Sequence, residues 1–235
     1  MNRFYIDTEL QAGTTVALSE AVFHHWCRVL RAQIDDQAIL FNGKGGEYQV
    51  HLVEINKKNA FVLVDVFHPQ DHTPAFQVTL GQVMSKGDRM DYAIQKATEL
   101  GVHAIQLLTS ERCEMRLKYE RDQKKIEHWQ GIAIAACEQC GMNRIPQILA
   151  PLTVQDWVSQ NQADLKLVMA LSQEKIQLRQ PLPAQIAVLV GPEGGLSQSE
   201  IDFANQQGFA SWTIGDRILR TETAPVVALS IFNSL

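Results

Sequence analysis

The sequence predicts an α/β protein in two parts: a small β-barrel, then a larger domain with a mostly parallel sheet and helices on both faces. Three observations carry that expectation. Short strand-like runs separated by glycine-bearing turns fill residues 3–67, two prolines bracket a polar stretch at 68–74, and strands alternate with helix-like stretches from Phe76 onward. With 235 residues, the chain has room for a small domain beside a medium one. We place the barrel at 1–70 and the α/β domain at 75–235.

In the first part, Ala38-Ile39-Leu40-Phe41 leads into Asn42-Gly43-Lys44-Gly45-Gly46, and Tyr48–Val53 then alternates apolar and polar residues. An Asn-Gly pair between strand-like runs predicts a tight type I′ hairpin, because both central residues need positive φ. Lys57-Lys58-Asn59 turns the chain into Ala60–Val64, and Ser19–Leu30 reads as a helical insert. His68 and His72 have a metal-ligand spacing for a helix, but Pro69 and Pro74 argue for a solvated linker there.

In the second part, strand Val78–Val83 precedes a helix over 89–100, with Asp88 as N-cap and Gly101 at the left-handed C-terminal position. Strand Ala104–Leu108, a helix over 121–140 and a short helix near 154–159 follow. Strands Leu165–Leu171 and Ile186–Val190 come next, then a helix over 200–207 opened by the capping box Ser197-Gln198-Ser199-Glu200. Strand Ser211–Ile214 and a helix over 226–235 complete the pattern.

Composition excludes several classes. With 46% hydrophobic and 20% charged residues, the chain is ordinary globular material, not disordered, collagenous or coiled-coil. Lys and Arg total 21 against 26 Asp and Glu, and the net charge of −5 argues against a histone-like coat on nucleic acid, though not against a local basic face. The first residues lack the build of a signal peptide and no apolar run approaches a membrane span, so we expect a soluble cytoplasmic protein without a membrane partner. The four cysteines form no disulfide framework. Cys137-Glu138-Gln139-Cys140 has a C-x-x-C spacing, but no second pair completes a zinc site and the motif closes a helix rather than opening one. Buried reduced thiols and no bound metal are expected.

Two loops carry the candidate chemistry. Gly191-Pro192-Glu193-Gly194-Gly195 follows an apolar strand and precedes a capped helix, so backbone N–H groups there can approach a ligand; a plain strand-to-helix turn is the alternative. It is neither a dinucleotide fingerprint nor a phosphate loop. The second loop, Gly215–Pro225, places Arg220 and Glu222 among threonines, where a surface ion pair is the alternative. Both loops leave the carboxyl ends of strands. A third feature is charge: Arg112, Arg116, Lys118, Arg121, Lys124 and Lys125, with Lys86, Arg89, Lys96 and Arg144 in the same part and Arg3, Arg28 and Arg31 in the barrel. These suit a phosphate backbone or, alternatively, an ordinary solvated helix face.

Seven ordered motifs then carry a family resemblance over nearly the whole chain. They are His25–Arg31, Gly81–Gly87, Gln95–Gly101, Ser110–Cys113, Ala135–Gly141, Gly191–Gly195 and Leu219–Ala224. With them the chain resembles the RsmE family of ribosomal RNA methyltransferases in the SPOUT (α/β-knot) superfamily. The resemblance implies a PUA-like β-barrel for RNA and a trefoil-knotted α/β domain that binds S-adenosyl-L-methionine. It also implies a homodimer that methylates N3 of one uridine in small-subunit (16S) ribosomal RNA. It assigns the cofactor to Leu171, Val190, Gly191, Gly194, Gly195, Ile214, Gly215, Leu219 and Thr221. Catalysis falls to Arg220 and then Glu222, and RNA positioning to Arg3, Arg28, Arg31, Lys86, Lys96, Arg112 and Arg144. Competing readings are a related methyltransferase acting on another nucleotide and an inert RNA-binding protein. A nicotinamide oxidoreductase lacks its fingerprint glycines here.

Overall fold

Residues 3–67 alternate as half-buried strands should, and the chain there folds as one sheet around one core. The computed structural model describes residues 1–113, 119–172 and 176–235, with the side chains of 119–122 outside that description. The first unit holds β1 (Asn2–Tyr5), β2 (Thr15–Ala17), α1 (Glu20–Phe23) continuing into a π-helical turn (His24–Val29), β3 (Gln37–Phe41), β4 (Glu47–Ile55) and β5 (Ala60–His68). The strand order is β1-β3-β4-β5-β2, with β1 parallel to β3 and the other pairs antiparallel. Period-two alternation turns Val50, Leu52, Ala60, Val62 and Val64 into the core, where the helical insert adds Val22, Phe23 and Trp26. Ser19 starts that insert, its Oγ accepting the Val22 amide at 3.3 Å.

Two expectations change in this unit. The Asn42–Gly46 connection is not a two-residue turn: Leu40 pairs with Tyr48, and five residues link β3 to β4. Gly43, Gly45 and Gly46 all take positive φ, so the glycine-rich stretch supports a wider left-handed loop. The unit also includes Cys137–Ile145, within the span we assigned to the second domain. The cause is packing and polar pairing. Cys137, Met142 and Ile145 cluster with Tyr5 and Phe41, Arg3 Nη2 donates to Asn143 Oδ1 at 2.7 Å, and Arg144 Nε donates to Asp71 Oδ2 at 2.8 Å. Burial, reinforced by Cys140, pushes the Cys137 thiol up to about 12, so it stays protonated.

The second unit comprises Pro74–Ala136 and Pro146–Leu235. Its elements are β6 (Gln77–Val83), α2 (Asp88–Glu99), β7 (Ala104–Thr109), α3 (Tyr119–Cys140, whose last turn belongs to the first unit), β8 (Gln147–Thr153), α4 (Val154–Gln160), β9 (Leu165–Met169), β10 (Gln185–Val190), α5 (Gln198–Gln206), β11 (Ala210–Trp212) and α6 (Ala224–Ser234). The sheet is all parallel, in the order β11-β9-β10-β6-β7-β8. Its central strands are covered on both faces, which is why β10 reads as a continuous apolar run rather than an alternating one. Trp157 of α4 packs on Phe209 with ring centroids 5.6 Å apart. Gly81 makes room for it, since a Cβ there would lie 2.5 Å from the Trp157 ring.

β8 was not visible in the sequence. Pro151 interrupts it, and a strand with an internal proline survives only at a sheet edge or a bulge. Both apply: β8 is an edge strand with a shifted register opposite Gln106–Leu108, and Gln106 Nε2 donates to the Ala150 carbonyl at 2.5 Å. Asp88 is likewise not the N-cap of α2. Gly87 takes that place at φ 65° and ψ −150°, a conformation open essentially to glycine, and Asp88 becomes the first helical residue. The capping box of α5 is present as expected.

Because β6 lies in the middle of the sheet, the chain works outward through β7 and β8, crosses to β9, and returns to insert β10 beside β6. After β11 it comes back once more, and residues 213–223 pass the carboxyl ends of β9 and β10 before α6 packs beside α2. Among the described residues, no helix is long and apolar enough to cross a membrane. Trp26 is the largest fully buried side chain of the first unit. Trp26→Ala should therefore lower unfolding free energy by about 3–5 kcal/mol in a denaturant titration. A loss under about 1 kcal/mol would contradict this account of the core.

Candidate active site

Three loops leave the carboxyl ends of β9, β10 and β11 and enclose a cavity of about 720 Å³, within the roughly 300–1,000 Å³ usual for small-molecule sites. Leu171 comes from the first loop, Val190 through Leu196 from the second, and Ile214 with Arg217 through Glu222 from the third. In an open parallel sheet this end of the strands is where ligands bind.

Two threonine hydroxyls fix the walls. Thr213 Oγ1 donates to the Ala170 carbonyl at 2.9 Å and accepts the Ser172 amide at 2.6 Å, tying the first loop to the third. Thr221 Oγ1 donates to the Gly191 carbonyl at 2.7 Å and accepts from Gln82 Nε2 at 3.0 Å, joining β6, the glycine loop and the returning loop. Gln82 and Thr221 are both buried, so these bonds are shielded from water. Gly191 must stay small, because a Cβ there would meet the Leu196 amide nitrogen at 3.0 Å.

Charged groups support the same loop. Arg112 Nη1 donates to the Gly194 carbonyl at 3.1 Å, and Arg89 Nη1 pairs with Glu193 Oε1 at 2.8 Å. Glu200, only 1% exposed, accepts the Ser197 amide through Oε2 at 2.8 Å and the Glu111 amide through Oε1 at 3.0 Å. Its carboxylate thus caps α5 and holds the segment after β7 against the glycine loop.

The expected cofactor residues converge here: Leu171, Val190, Gly191, Gly194, Gly195, Ile214, Leu219 and Thr221 line the cavity, as do Arg220 and Glu222. Gly215 stands outside the lining, at positive φ on the exposed loop. The Thr221 hydroxyl is spent on protein partners. Glu222 Oε2 is buried without a hydrogen-bond partner among the described residues, and Arg220 is exposed.

The expected RNA set divides. Arg112 lines the cavity, but its guanidinium serves the glycine loop. Arg3 is placed differently from the expectation: its side chain is 15% exposed, pairs with Glu47 and Asn143, and lies over the Phe41 ring, so it is not a surface phosphate group. Arg28 donates to the Lys57 carbonyl at 2.5 Å, Lys96 pairs with Glu99 at 2.8 Å, and Arg144 pairs with Asp71. Arg31 is exposed at positive φ, and Lys86 precedes α2. Arg116 and Lys118 lie outside the described residues, as does the Arg121 side chain. From the sequence, Gln82 and Glu193 carried no role, Arg89 was only one of the basic set and Glu200 only a capping-box residue. The one usable signal was a glutamine within an otherwise apolar strand.

Residues 72–233 match the family described as RNA methyltransferase domain, and residues 18–65 match the RNA methyltransferase PUA domain. The parallel sheet with its carboxyl-end cavity, behind a PUA domain, is the architecture of the SPOUT class of RNA methyltransferases. Ribosomal RNA small subunit methyltransferase E of Buchnera aphidicola (subsp. Schizaphis graminum) is 33% identical over 231 residues, covering 97% of this chain and 94% of that protein. The Synechocystis protein of the same name is 35% identical over 240 residues, covering 99% and 77%. The crystal structure of the Neisseria gonorrhoeae enzyme of that name, bound to S-adenosyl methionine, superposes with a TM-score of 0.93 at 37% identity, covering 100% of this chain and 97% of that one. The chain belongs to the ribosomal RNA small subunit methyltransferase E family.

Glu200→Ala leaves the Ser197 and Glu111 amides without their acceptor, which should cost about 2–4 kcal/mol of stability. Thermal or denaturant unfolding checks this, and a change within about 0.5 kcal/mol would show that the carboxylate does not hold the two segments.

Proposed function

We propose that the chain transfers a methyl group from S-adenosyl-L-methionine to N3 of a uridine in small-subunit (16S) ribosomal RNA. The observation that carries this reading is the cavity itself. It joins glycine backbone, apolar wall, an exposed arginine and a carboxylate with an orphaned buried oxygen in one space at the carboxyl end of a parallel sheet. The residues suit the cofactor. Leu171, 67% exposed, offers an apolar surface that an adenine would cover, and a side chain at Gly191 would crowd the cavity wall. Leu171, Val190, Gly191, Gly194, Gly195, Ile214 and Leu219 would hold it, with Thr221 fixing the loops around it and Gly215 shaping the third loop from outside the lining.

When bound, the cofactor supplies an electrophilic methyl group on a sulfonium. Uridine N3 carries a proton, so it becomes a nucleophile only as that proton leaves and negative charge spreads to the flanking carbonyl oxygens. In this reading the exposed Arg220 guanidinium donates hydrogen bonds to those oxygens, an interaction that strengthens as the charge develops. In this reading the Glu222 carboxylate, whose Oε2 is buried without a partner among the described residues, takes the N3 proton or orients Arg220.

Phosphate contacts fall to Arg31, Arg28, Lys86, Lys96 and Arg144, and the resemblance further supports a cytoplasmic homodimer. Arg3 is left out because its guanidinium is committed inside the fold.

The test is transfer of labelled methyl to small ribosomal subunits lacking the modification, followed by digestion and nucleoside identification. Label in 3-methyluridine is expected, and label in another nucleoside would overturn the proposed substrate. Arg220→Ala should lower kcat by about 10²–10³-fold, as removal of a charge-stabilising donor does elsewhere. Cofactor affinity, measured by calorimetry, should stay within about twofold in the same variant. Wild-type turnover in that variant would remove Arg220 from the mechanism.

A further inference from the structure

The third loop carries an apolar side chain that lies on the cavity lining yet stays almost fully exposed. Ile218 is 85% exposed, more than any other large apolar side chain among the described residues. Its neighbour Leu219 is half-buried; both residues lie on the cavity lining, and Ile218 is the one whose side chain is left bare. Arg217 and Arg220 flank this pair, both exposed and both on the cavity lining. Neither makes an ion pair or hydrogen bond to the described residues, unlike Arg89 and Arg112 on the same lining. At the mouth of a cavity, an exposed apolar side chain between two guanidiniums free of described partners offers apolar contact and positive charge side by side.

The proposed reaction, on which this inference rests, supplies a reason for that side chain. N3 lies on the pairing edge of uracil, between stacked neighbours, and a methyl donor held in a cavity at the sheet end cannot reach it there. The nucleotide has to leave the stack, and enzymes acting on bases either flip the target or take it already unstacked. Apolar wedges inserted between base steps are one recurring way to hold a strand open.

We propose that Ile218 is a wedge that enters the gap left by the target uridine, with Arg217 gripping a phosphate beside that gap. Ile218 is a positioning residue in this role: it touches the neighbouring bases, not the reacting atoms. Arg217 adds a phosphate contact whose strength depends on salt.

The experiment compares wild type, Ile218→Ala, Ile218→Met and Arg217→Ala on small ribosomal subunits lacking the modification. Initial rates, S-adenosyl-L-methionine affinity by calorimetry and oligomeric state by sedimentation are measured for each. Ile218→Ala should lose about tenfold or more in kcat/KM, with cofactor affinity and oligomeric state unchanged. Ile218→Met should recover most of that loss, because a wedge needs apolar bulk rather than one shape. Arg217→Ala should raise KM, and its KM should depend less steeply on salt than that of wild type.

Wild-type turnover in Ile218→Ala would overturn the inference. So would a loss accompanied by weakened cofactor binding, which would make Ile218 a cover for the cofactor. A loss accompanied by a changed oligomeric state would make it an interface residue and equally overturn the wedge. The wild-type arm separates the two readings: if wild type forms no 3-methyluridine, the proposed function fails and this inference with it. If wild type forms it and the variants match wild type, only the wedge falls.

Discussion

The hydroxyl of Thr221 is the point on which the site depends. It ties the β10 loop to the loop returning from β11 across the sheet end. It donates to the Gly191 carbonyl and accepts from Gln82, so one oxygen joins a central strand, the glycine loop and the segment carrying Arg220 and Glu222. Gln82 can serve because it is buried at the end of β6, where its amide also donates to the Val83 carbonyl at 3.1 Å and cannot turn to solvent. Although Gln82 Oε1 is left without a partner among the described residues, this buried chain favours one arrangement of loops, since another would leave the Gln82 amide and the Thr221 hydroxyl unpaired as well.

Charge is used sparingly around that point. The chain is acidic overall, yet among the described residues four arginines line the cavity: Arg89, Arg112, Arg217 and Arg220. Two are architectural, with Arg112 held to the glycine-loop carbonyl and Arg89 to Glu193. The other two make no ion pair or side-chain hydrogen bond among the described residues, and both belong to the loop that Thr221 positions. The division explains how a protein of net charge −5 can present cationic groups at one defined place.

Much of this was legible in the sequence, for reasons that are local. The glycine loop announced itself because Gly191 needs the absence of a side chain, and the capping box because Ser197 and Glu200 pair within one turn. The apolar run at 186–190 marked a strand buried on both faces. What was not legible depends on distant partners. β8 was hidden because Pro151 reads as a strand breaker until β8 is seen at the sheet edge, with a shifted register and Gln106 satisfying the Ala150 carbonyl beside the proline. Cys137–Ile145 read as part of the second domain because helix periodicity says nothing of packing on Tyr5 and Phe41. Arg3 read as a surface cation because a sequence does not show Glu47 and Asn143 beside it. The strand order, with β10 inserted between β9 and β6, follows no local pattern; the resemblance implied a knotted α/β domain but no order of strands.

The most direct test of this account is cofactor affinity in Thr221→Val, which keeps the side-chain shape and removes both hydrogen bonds. Calorimetry with S-adenosyl-L-methionine should show binding weakened about tenfold or more, with circular dichroism unchanged. Thr221→Ser, which keeps the hydroxyl, should restore most of the affinity. Affinity in Thr221→Val within about twofold of wild type would contradict the claim that this oxygen assembles the site.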